Sequence, residues 1–287
     1  MQIFENFDLK KITSFKIGGK ASYLIIIKNI GELEQALEFA HNKNLKPYIH
    51  GGGSNVLFED AEFKNVFIWI QIKEIKIENK RLTVGAGCSW TELSRYCKEN
   101  KITGIEGLLT IPGTIGGAVY GNAGAFGQET LNFIDSVKVY NKLKKCVETI
   151  PIEKISYQYR HSSFKSNKHL IIISASFDMQ KFERTQTLDS LKEKRDSKQP
   201  KGLTTGSFFK NPEGDYAGRL IEAAGLKGKQ VGGARISDKH ANFFMNEQNA
   251  SFDDIIKLKK LCQKTVENKF NIKLEPEVQI LLAKDLK

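Results

Sequence analysis

One stretch, Thr110–Gly127, constrains what this chain can fold into more than any other. It holds six of the protein's 24 glycines and no Lys, Arg, Asp or Glu, although 27% of the whole chain is charged. Glycine permits positive φ angles and lets another backbone or a ligand approach closely. The stretch is therefore either a tightly packed loop inside a core or a cradle whose backbone N–H groups face a phosphate or a ring system. Its composition alone leaves both alternatives open.

Charge and length limit the classes of function. The 287 residues correspond to roughly two domains at about 150 residues each. Lys and Arg exceed Asp and Glu by 44 − 33 = +11, but only seven of these cations are Arg, and the lysines are spread along the chain. A nucleic-acid-binding protein is expected to cluster its cations on one element. The diffuse charge fits better with attraction of a polyanionic small molecule, so we expect no nucleic-acid partner.

Targeting, membrane and metal signals are weak throughout the sequence. The first eight residues lack the basic and apolar regions of a secretory signal, and the longest apolar run, about four residues, is too short to span a membrane. The four cysteines form no Cys-x-x-Cys pair and the five histidines lie apart. We therefore expect a cytoplasmic protein with free thiols, no metal and no membrane partner.

The first candidate binding motif follows a predicted βαβ unit. A strand at 23–27, a helix with apolar residues spaced at three and four, and a strand at 45–50 precede it. Ligands of α/β units collect at the carboxyl ends of strands. Here the second strand runs directly into Gly51, Gly52, Gly53, Ser54 and Asn55. An ordinary glycine turn is the alternative, but five flexible or donor-bearing residues favour an anion site.

The remaining pattern alternates strands and helices. Hairpins are predicted near 75–84 and 133–147, a buried strand at 170–176, and helices after the capping pair Ser89–Glu92, at 188–197, and after Ser251. A linker is predicted at 199–206. The last segment, 272–280, alternates apolar and polar residues and carries Pro276, which predicts an edge strand.

Six motifs in order resemble the MurB family of UDP-N-acetylenolpyruvoylglucosamine reductases. Each motif is weak alone, but their order over about 15–281 makes the resemblance specific. They are Pro47–Asn55, Ile111–Gly117 with Gly121–Gly124, Tyr159–Phe164, Gly206–Pro212, Glu222–Gly228 and Glu275–Val278.

The resemblance implies an α+β protein with a vanillyl-alcohol-oxidase (PCMH)-type FAD-binding fold and a C-terminal substrate domain. The expected domains are 1–75 and 76–199, which hold FAD, and 200–287, which holds the substrate. The implied activity reduces UDP-N-acetylglucosamine enolpyruvate to UDP-N-acetylmuramate, with FAD as cofactor and NADPH as co-substrate, in peptidoglycan precursor synthesis. We expect a monomer.

The resemblance also implies a catalytic triplet. Arg160 is the expected clamp for the substrate carboxylate, because its charge is permanent and its fork fits a carboxylate. Ser207 matches the family's proton donor, and Glu277 matches a glutamate that assists protonation. A surface or structural arginine is the alternative for Arg160, but its position beside aromatic residues, as one of only seven arginines, disfavours it. The residues alone would favour a turn or capping role for Ser207 and a solvated strand position for Glu277.

Cofactor and substrate contacts are carried over from the same motifs. Lys210 and Asn211 resemble substrate contacts. Backbone amides and helix termini are expected to hold the FAD phosphates. The expected cofactor residues are Gly51, Gly52, Gly53, Ser54, Asn55, Ile111, Pro112, Gly113, Thr114, Gly116, Gly117, Asn122, Ala123 and Gly124.

This chain departs from the full family pattern in two places. The short interval between Arg160 and Ser207 resembles the family branch that lacks a tyrosine-bearing loop. Gln279 stands where some members carry Arg. Two other functions are kept as alternatives: a different oxidoreductase on the same FAD scaffold, and a basic nucleic-acid-binding protein.

Overall fold

A computed structural model describes residues 1–183 and 187–286 of the chain. Most of its strands are short. They are β1 (Gln2–Asp8), β2 (Lys20–Ile27), β3 (Lys46–His50), β4 (Val56–Phe58), β5 (Glu62–Ile70), β6 (Ile75–Glu78), β7 (Arg81–Gly85), β8 (Gly124–Ala125), β9 (Gln128–Glu129), β10 (Ile134–Asn141), β11 (Cys146–Pro151), β12 (Tyr157–Gln158), β13 (His161–Ser162), β14 (Leu170–Asp178), β15 (Gln230–Val231), β16 (Ala234–Ile236), β17 (Phe244–Asn246) and β18 (Gln279–Leu281). Four of those described have eight or nine residues: β2, β5, β10 and β14.

The α-helices fall between these strands. They are α1 (Ile30–Asn42), α2 (Trp90–Glu99), α3 (Ile115–Gly121), α4 (Leu188–Lys198), α5 (Ala217–Ala223) and α6 (Phe252–Phe270). The predicted capping boxes are confirmed, because the side chain of Ser89 accepts from Glu92 N–H and that of Ser251 accepts from Asp254 N–H. The helix predicted at 188–197 corresponds to α4.

Two compact units divide the chain, and both are discontinuous in sequence. The first comprises residues 1–4, 24–52 and 66–193, and the second comprises 5–23, 53–65 and 194 onwards. These units do not follow the three expected domains one by one, so the domain division stays a prediction. A four-stranded sheet of the order β1-β2-β5-β3 also separates the two strands of the predicted βαβ unit, because β5 lies between β2 and β3.

The first unit is organised around an antiparallel five-stranded sheet of the order β11-β10-β14-β7-β6. Val137, Ala175 and Val84 lie side by side across its three central strands, and all three are fully buried. Helix α3 lies against β14. The uncharged stretch Thr110–Gly127 therefore contributes a short helix to this core. Its glycine content did not predict that helix.

The second unit packs α5 and α6 against a small sheet of the order β15-β16-β17. Helix α6 buries Ile255, Leu258, Cys262 and Val266, which follow the helical spacing of three and four. Aromatic rings supply much of the remaining core, and the rings of Phe208 and Phe244 stack with centroids 4.3 Å apart. This core fixes the segment that contains Ser207.

The strand predicted at 272–280 is mostly wrong, because only β18 is a strand. It pairs in parallel with β4. Upstream of it, Pro276 forms only an isolated antiparallel bridge with Phe209, in which Glu277 N–H donates to Phe208 O and Lys210 N–H donates to Glu275 O. The apolar positions Leu274 and Val278 are nevertheless buried as expected.

Candidate active site

The first unit brings two predicted cofactor segments into close backbone contact. A Cβ added to Gly52 would lie 2.9 Å from the Cα of Gly113, and one added to Gly51 would lie 3.0 Å from Thr114 Oγ1. Gly113 also has a φ of 104°, where a side chain is strained. Glycine is therefore required on both sides of this contact. Nearby, Ile111 N–H donates to Leu108 and Pro112 is exposed.

Thr114 provides a polar group that a ligand could satisfy. Its hydroxyl is buried and has no hydrogen-bond partner among the described residues. Buried polar groups are normally bonded, so such an atom requires an explanation. A phosphate or flavin bound beside Gly51 and Gly113 would explain this hydroxyl by accepting its hydrogen bond. The surroundings are uncharged, so backbone N–H groups would be the other donors. The residues present thus fit an FAD-type cofactor.

The start of α3 is not free to bind that cofactor. Ile115 N–H donates to Cys88 O, and Gly116 N–H donates to Ala86 O, both at 2.9 Å. A Cβ on Gly116 would lie 2.9 Å from the Cβ of Ala86. These two N–H groups therefore attach α3 to the turn before α2, and the expectation that helix-terminal amides hold the phosphates stays a prediction for the other N–H groups. Gly117 is exposed on the same helix.

Asn122 has a structural role that its motif did not predict. It ends α3 in the left-handed conformation with a φ of 46°, and it is fully buried. Its Nδ2 donates to Glu129 Oε2 at 2.8 Å and to Gln158 O at 3.1 Å, while its Oδ1 accepts from Leu131 N–H. Its side chain therefore fixes the loop that follows α3.

The same loop contacts Arg160. Ala123 is held at both backbone groups, by Ala118 O and by Thr130. Gly124 O accepts a hydrogen bond of 3.0 Å from Arg160 Nη2. A Cβ on Gly124 would lie 2.5 Å from Gln128 O, so this position also requires glycine. The structure thus brings Arg160 against the predicted cofactor motif.

Arg160 itself adopts a strained conformation. It lies between β12 and β13 with a φ of 56°, a region that costs a non-glycine residue about 1 kcal/mol or more. Its guanidinium lies 4.8 Å from the ring centroid of Tyr159, and its carbonyl accepts from Lys165 Nζ. Ser162 Oγ donates to Tyr120 O of α3 at 2.7 Å. These contacts fix the direction of the guanidinium.

Two phenols of this unit were not predicted. Burial raises the pKa of Tyr48 well above its ordinary value, and the nearby Tyr120 adds to the effect. Burial likewise raises the pKa of Tyr120. Both hydroxyls therefore stay neutral at physiological pH. No local pattern in the sequence distinguished these tyrosines from core residues.

The second unit contains the other two predicted catalytic residues. Ser207 forms a bridge with Phe243, and the next residue, Phe208, accepts a 2.9 Å hydrogen bond from Glu277 N–H. Asn55 Nδ2 donates to Glu277 O at 3.2 Å. The backbones of Ser207 and Glu277 are thus neighbours, and Asn55 supports Glu277.

The other predicted contacts of this unit are engaged within the protein. Lys210 Nζ donates to the carboxylate of Glu275, and Asn211 Oδ1 accepts from Ala217 N–H at the start of α5. Gly53 has a φ of 65°, and its carbonyl accepts from both the N–H and the hydroxyl of Ser14. Ser54 is half-buried. Gly53 is therefore a structural glycine as well as a candidate contact.

Asn242 is a residue of this region to which the sequence assigned no role. It is 2% exposed, and its side chain makes two hydrogen bonds to the backbone of Phe209. Its position in an aromatic-rich segment resembled an ordinary turn before a strand. No single-sequence signal identified it.

Within residues 1–183 and 187–286, no helix is long and apolar enough to cross a membrane. In the same ranges, no three His, Cys, Asp or Glu side chains group in a way that could hold a metal ion.

Two family models match the chain. A model described as an FAD binding domain matches residues 21–149. A model described as the C-terminal domain of UDP-N-acetylenolpyruvoylglucosamine reductase matches residues 199–281. These matches confirm the predicted fold class of an FAD-binding fold followed by a distinct C-terminal domain.

Whole-chain comparisons agree with the family models. A UDP-N-acetylenolpyruvoylglucosamine reductase of Fusobacterium nucleatum is 38% identical over 284 residues, which cover 98% of this chain and 100% of that protein. One from Caldicellulosiruptor saccharolyticus is 37% identical, with 95% and 90% covered. The crystal structure of the MurB enzyme from Thermus caldophilus is 28% identical and superposes with a TM-score of 0.78, over 97% of this chain and 98% of that one. The chain belongs to the UDP-N-acetylenolpyruvoylglucosamine reductase family.

Proposed function

We propose that this protein uses NADPH to reduce UDP-N-acetylglucosamine enolpyruvate to UDP-N-acetylmuramate, a step of peptidoglycan precursor synthesis. Bound FAD would supply the redox chemistry, which is hydride transfer from NADPH to the methylene carbon of the enolpyruvyl group. The protein's own residues hold the cofactor, stabilise the charge that develops on the substrate and deliver a proton.

The cofactor is held where two glycine-containing segments of the first unit pack against each other. Gly51 and Gly52 lie against Gly113 and Thr114, and the buried Thr114 hydroxyl is the side-chain group available for a cofactor oxygen. Asn122 keeps the following loop in place. The remaining predicted contacts, Gly53, Ser54, Asn55, Ile111, Pro112, Gly116, Gly117, Ala123 and Gly124, stay candidates for backbone contacts.

Arg160 stabilises negative charge on the substrate. Hydride addition leaves charge on the neighbouring carbon and the carboxylate, and a fixed cation lowers the energy of that charge. The bond to Gly124 and the stacking on Tyr159 hold the guanidinium before substrate arrives. Preorganisation of this kind needs no rearrangement during the reaction.

Ser207 completes the reduction by proton transfer. Its O–H bond breaks while a C–H bond forms at the carbon next to the carboxylate, and water reprotonates the serine oxygen. A hydroxyl is a weak acid, but an enolate carbon is basic enough to take its proton. Glu277 assists from the neighbouring backbone segment, and Lys210 and Asn211 contact the sugar nucleotide.

One observation carries this assignment most directly. Ser207 and Glu277 are far apart in the sequence, yet Glu277 N–H donates to the carbonyl of the residue after Ser207. A proton donor and a carboxylate that assists it must lie on adjacent segments, and this backbone bond supports that arrangement. Residues 161–206 contain no tyrosine, which supports the proposed short branch of the family.

Steady-state turnover tests the proposal. Purified protein should be yellow and should oxidise NADPH only when the enolpyruvyl UDP-sugar is added. Turnover with an unrelated alcohol or aldehyde, and none with the UDP-sugar, would instead support a different oxidoreductase on this scaffold. The proposed setting is a cytoplasmic monomer with no nucleic-acid or membrane partner, and its spread of lysines supports the absence of a nucleic-acid site.

A further inference from the structure

The segment that carries Ser207 is held from two sides within the second unit. On one side, Glu277 N–H and Val278 N–H both point to the carbonyl of Phe208, at 2.9 and 3.5 Å. On the other side, Phe208 N–H donates to the backbone carbonyl of Asn242 at 2.7 Å. Ser207 therefore depends on both neighbours for its position.

The Asn242 side chain extends this second contact by one residue. Its Oδ1 accepts from Phe209 N–H at 2.9 Å, and its Nδ2 donates to Phe209 O at 2.8 Å. The carboxamide thus bonds to both backbone groups of Phe209, as the backbone of a neighbouring strand would do. Since the side chain is 2% exposed, water does not compete for these bonds.

We propose that Asn242 is a positioning residue for the proton-donating hydroxyl of Ser207. This inference rests on the proposed function, in which Ser207 delivers the proton. Asn242 bonds to the two residues that follow Ser207, and Phe243 bridges to Ser207 itself. Loss of the carboxamide frees Phe209 and lets the serine move relative to the reacting carbon.

A second asparagine of the same region separates positioning from packing. Asn246 is 8% exposed and also makes two side-chain bonds to backbone groups, one to Phe15 O and one from Ala250 N–H. Neither partner belongs to the segment of Ser207. Asn242→Ala and Asn246→Ala therefore each remove one donor and one acceptor from a buried site, and only the first touches the catalytic segment.

The two half-reactions provide the measurement. Flavin reduction by NADPH and flavin reoxidation by the enolpyruvyl UDP-sugar are followed separately, per bound flavin, in the full-length holoenzyme. We expect Asn242→Ala to slow reoxidation about ten- to a hundredfold and to leave reduction unchanged, because small misplacements of a reacting group have effects of that size. Asn246→Ala should change neither rate.

Several results would overturn the inference. These are unchanged reoxidation in Asn242→Ala, equal slowing of both half-reactions, or the same slowing in Asn246→Ala. If Asn242→Ala does not fold, Asn242→Asp keeps the acceptor for Phe209 N–H, removes the amide donor, and is measured against the same criteria. Ser207→Ala distinguishes failure of the proposed proton donor from failure of the positioning role. If Ser207→Ala leaves reoxidation intact, Ser207 is not the donor. If Ser207→Ala fails to reoxidise while Asn242→Ala reoxidises normally, only the positioning role of Asn242 is overturned.

Discussion

The two units hold their candidate functional residues by different means. In the first unit, glycines allow backbones to meet, so that Gly52 lies against Gly113 with no room for a Cβ. In the second unit, side-chain amides connect irregular segments, as the buried Asn242 does with Phe209 and the half-buried Asn55 with Glu277. Close packing of backbone suits a cofactor that stays bound. Hydrogen-bonded segments suit a serine that must meet a reacting carbon at one angle.

The largest expected effect concerns Ser207, in the second unit. Ser207→Ala removes the proposed proton donor and should slow flavin reoxidation by the enolpyruvyl UDP-sugar about 10²- to 10⁴-fold, the usual contribution of a positioned acid. Flavin reduction by NADPH should continue. Single-turnover absorbance measurements follow both steps.

Ser197→Ala is the matched control for that substitution. Ser197 is an exposed serine of the same unit, on α4, and its loss should alter neither step. If both half-reactions survive in Ser207→Ala, the serine is not the donor.

Gly52→Ala tests the first unit's backbone contact. The added Cβ would meet Gly113 and Thr114 backbone atoms at 2.9 and 3.1 Å, and overpacking of this kind costs about 1–3 kcal/mol. We expect flavin affinity to fall roughly tenfold or more, measured as flavin retained after dialysis. Gly31→Ala, a helix glycine whose Cβ would make an ordinary 3.5 Å contact, should retain its flavin. Equal retention in both variants would remove Gly52 from the cofactor site.

Gly121→Ala should change stability and flavin affinity in opposite directions. Gly121 is helical, and a Cβ there would meet nothing within 4 Å, so packing within the protein does not require glycine. Alanine should stabilise the flavin-free protein by about 0.5–1 kcal/mol. If cofactor approaches this open side, flavin affinity should fall at the same time. Urea unfolding and flavin titration measure the two effects, and a rise in both would place the cofactor elsewhere.

The smallest expected effects come from the two capping boxes. Hydrogen bonds from Ser251 hold the pKa of Asp254 below its usual value. Burial would raise the pKa of Glu92, but bonds from Lys73 and Ser89 outweigh it and lower that pKa too. A lowered pKa stabilises the fold above the ordinary carboxyl pKa, and the contribution is lost as pH falls through the folded value.

Asp254→Asn and Glu92→Gln should each remove part of this acid dependence. Each should cost about 0.3–1 kcal/mol of unfolding free energy at neutral pH, the usual contribution of a negative charge in the first turn of a helix, and less at acid pH. Urea unfolding as a function of pH measures this. A loss that stays constant down to acid pH would show that the charge is not the stabilising feature.

The sequence predicted the close backbone packing of the first unit better than the hydrogen bonds of the second. Glycines that let backbones meet are visible as composition, so Gly51, Gly52 and Gly113 could be chosen from the sequence. Helices were also predictable, because the capping pairs and apolar spacing of α2 and α6 are local signals.

Long-range hydrogen bonds were not predictable. The alternation at 272–280 predicts a strand but not its partner, and Pro276 forms only an isolated bridge with Phe209, which is distant in sequence. Asn242 and Asn122 have the composition of turn residues, and their buried bonds appear only in the fold. The roles of Arg160, Ser207 and Glu277 came from the family resemblance and not from local pattern.

Anaerobic reoxidation tests the central claim most directly. The wild-type protein is reduced with one equivalent of NADPH in the absence of oxygen, and the enolpyruvyl UDP-sugar is then added while flavin absorbance is followed. We predict that the oxidised flavin spectrum returns and that UDP-N-acetylmuramate forms in equal amount. A flavin that stays bleached after the addition would contradict the proposed function.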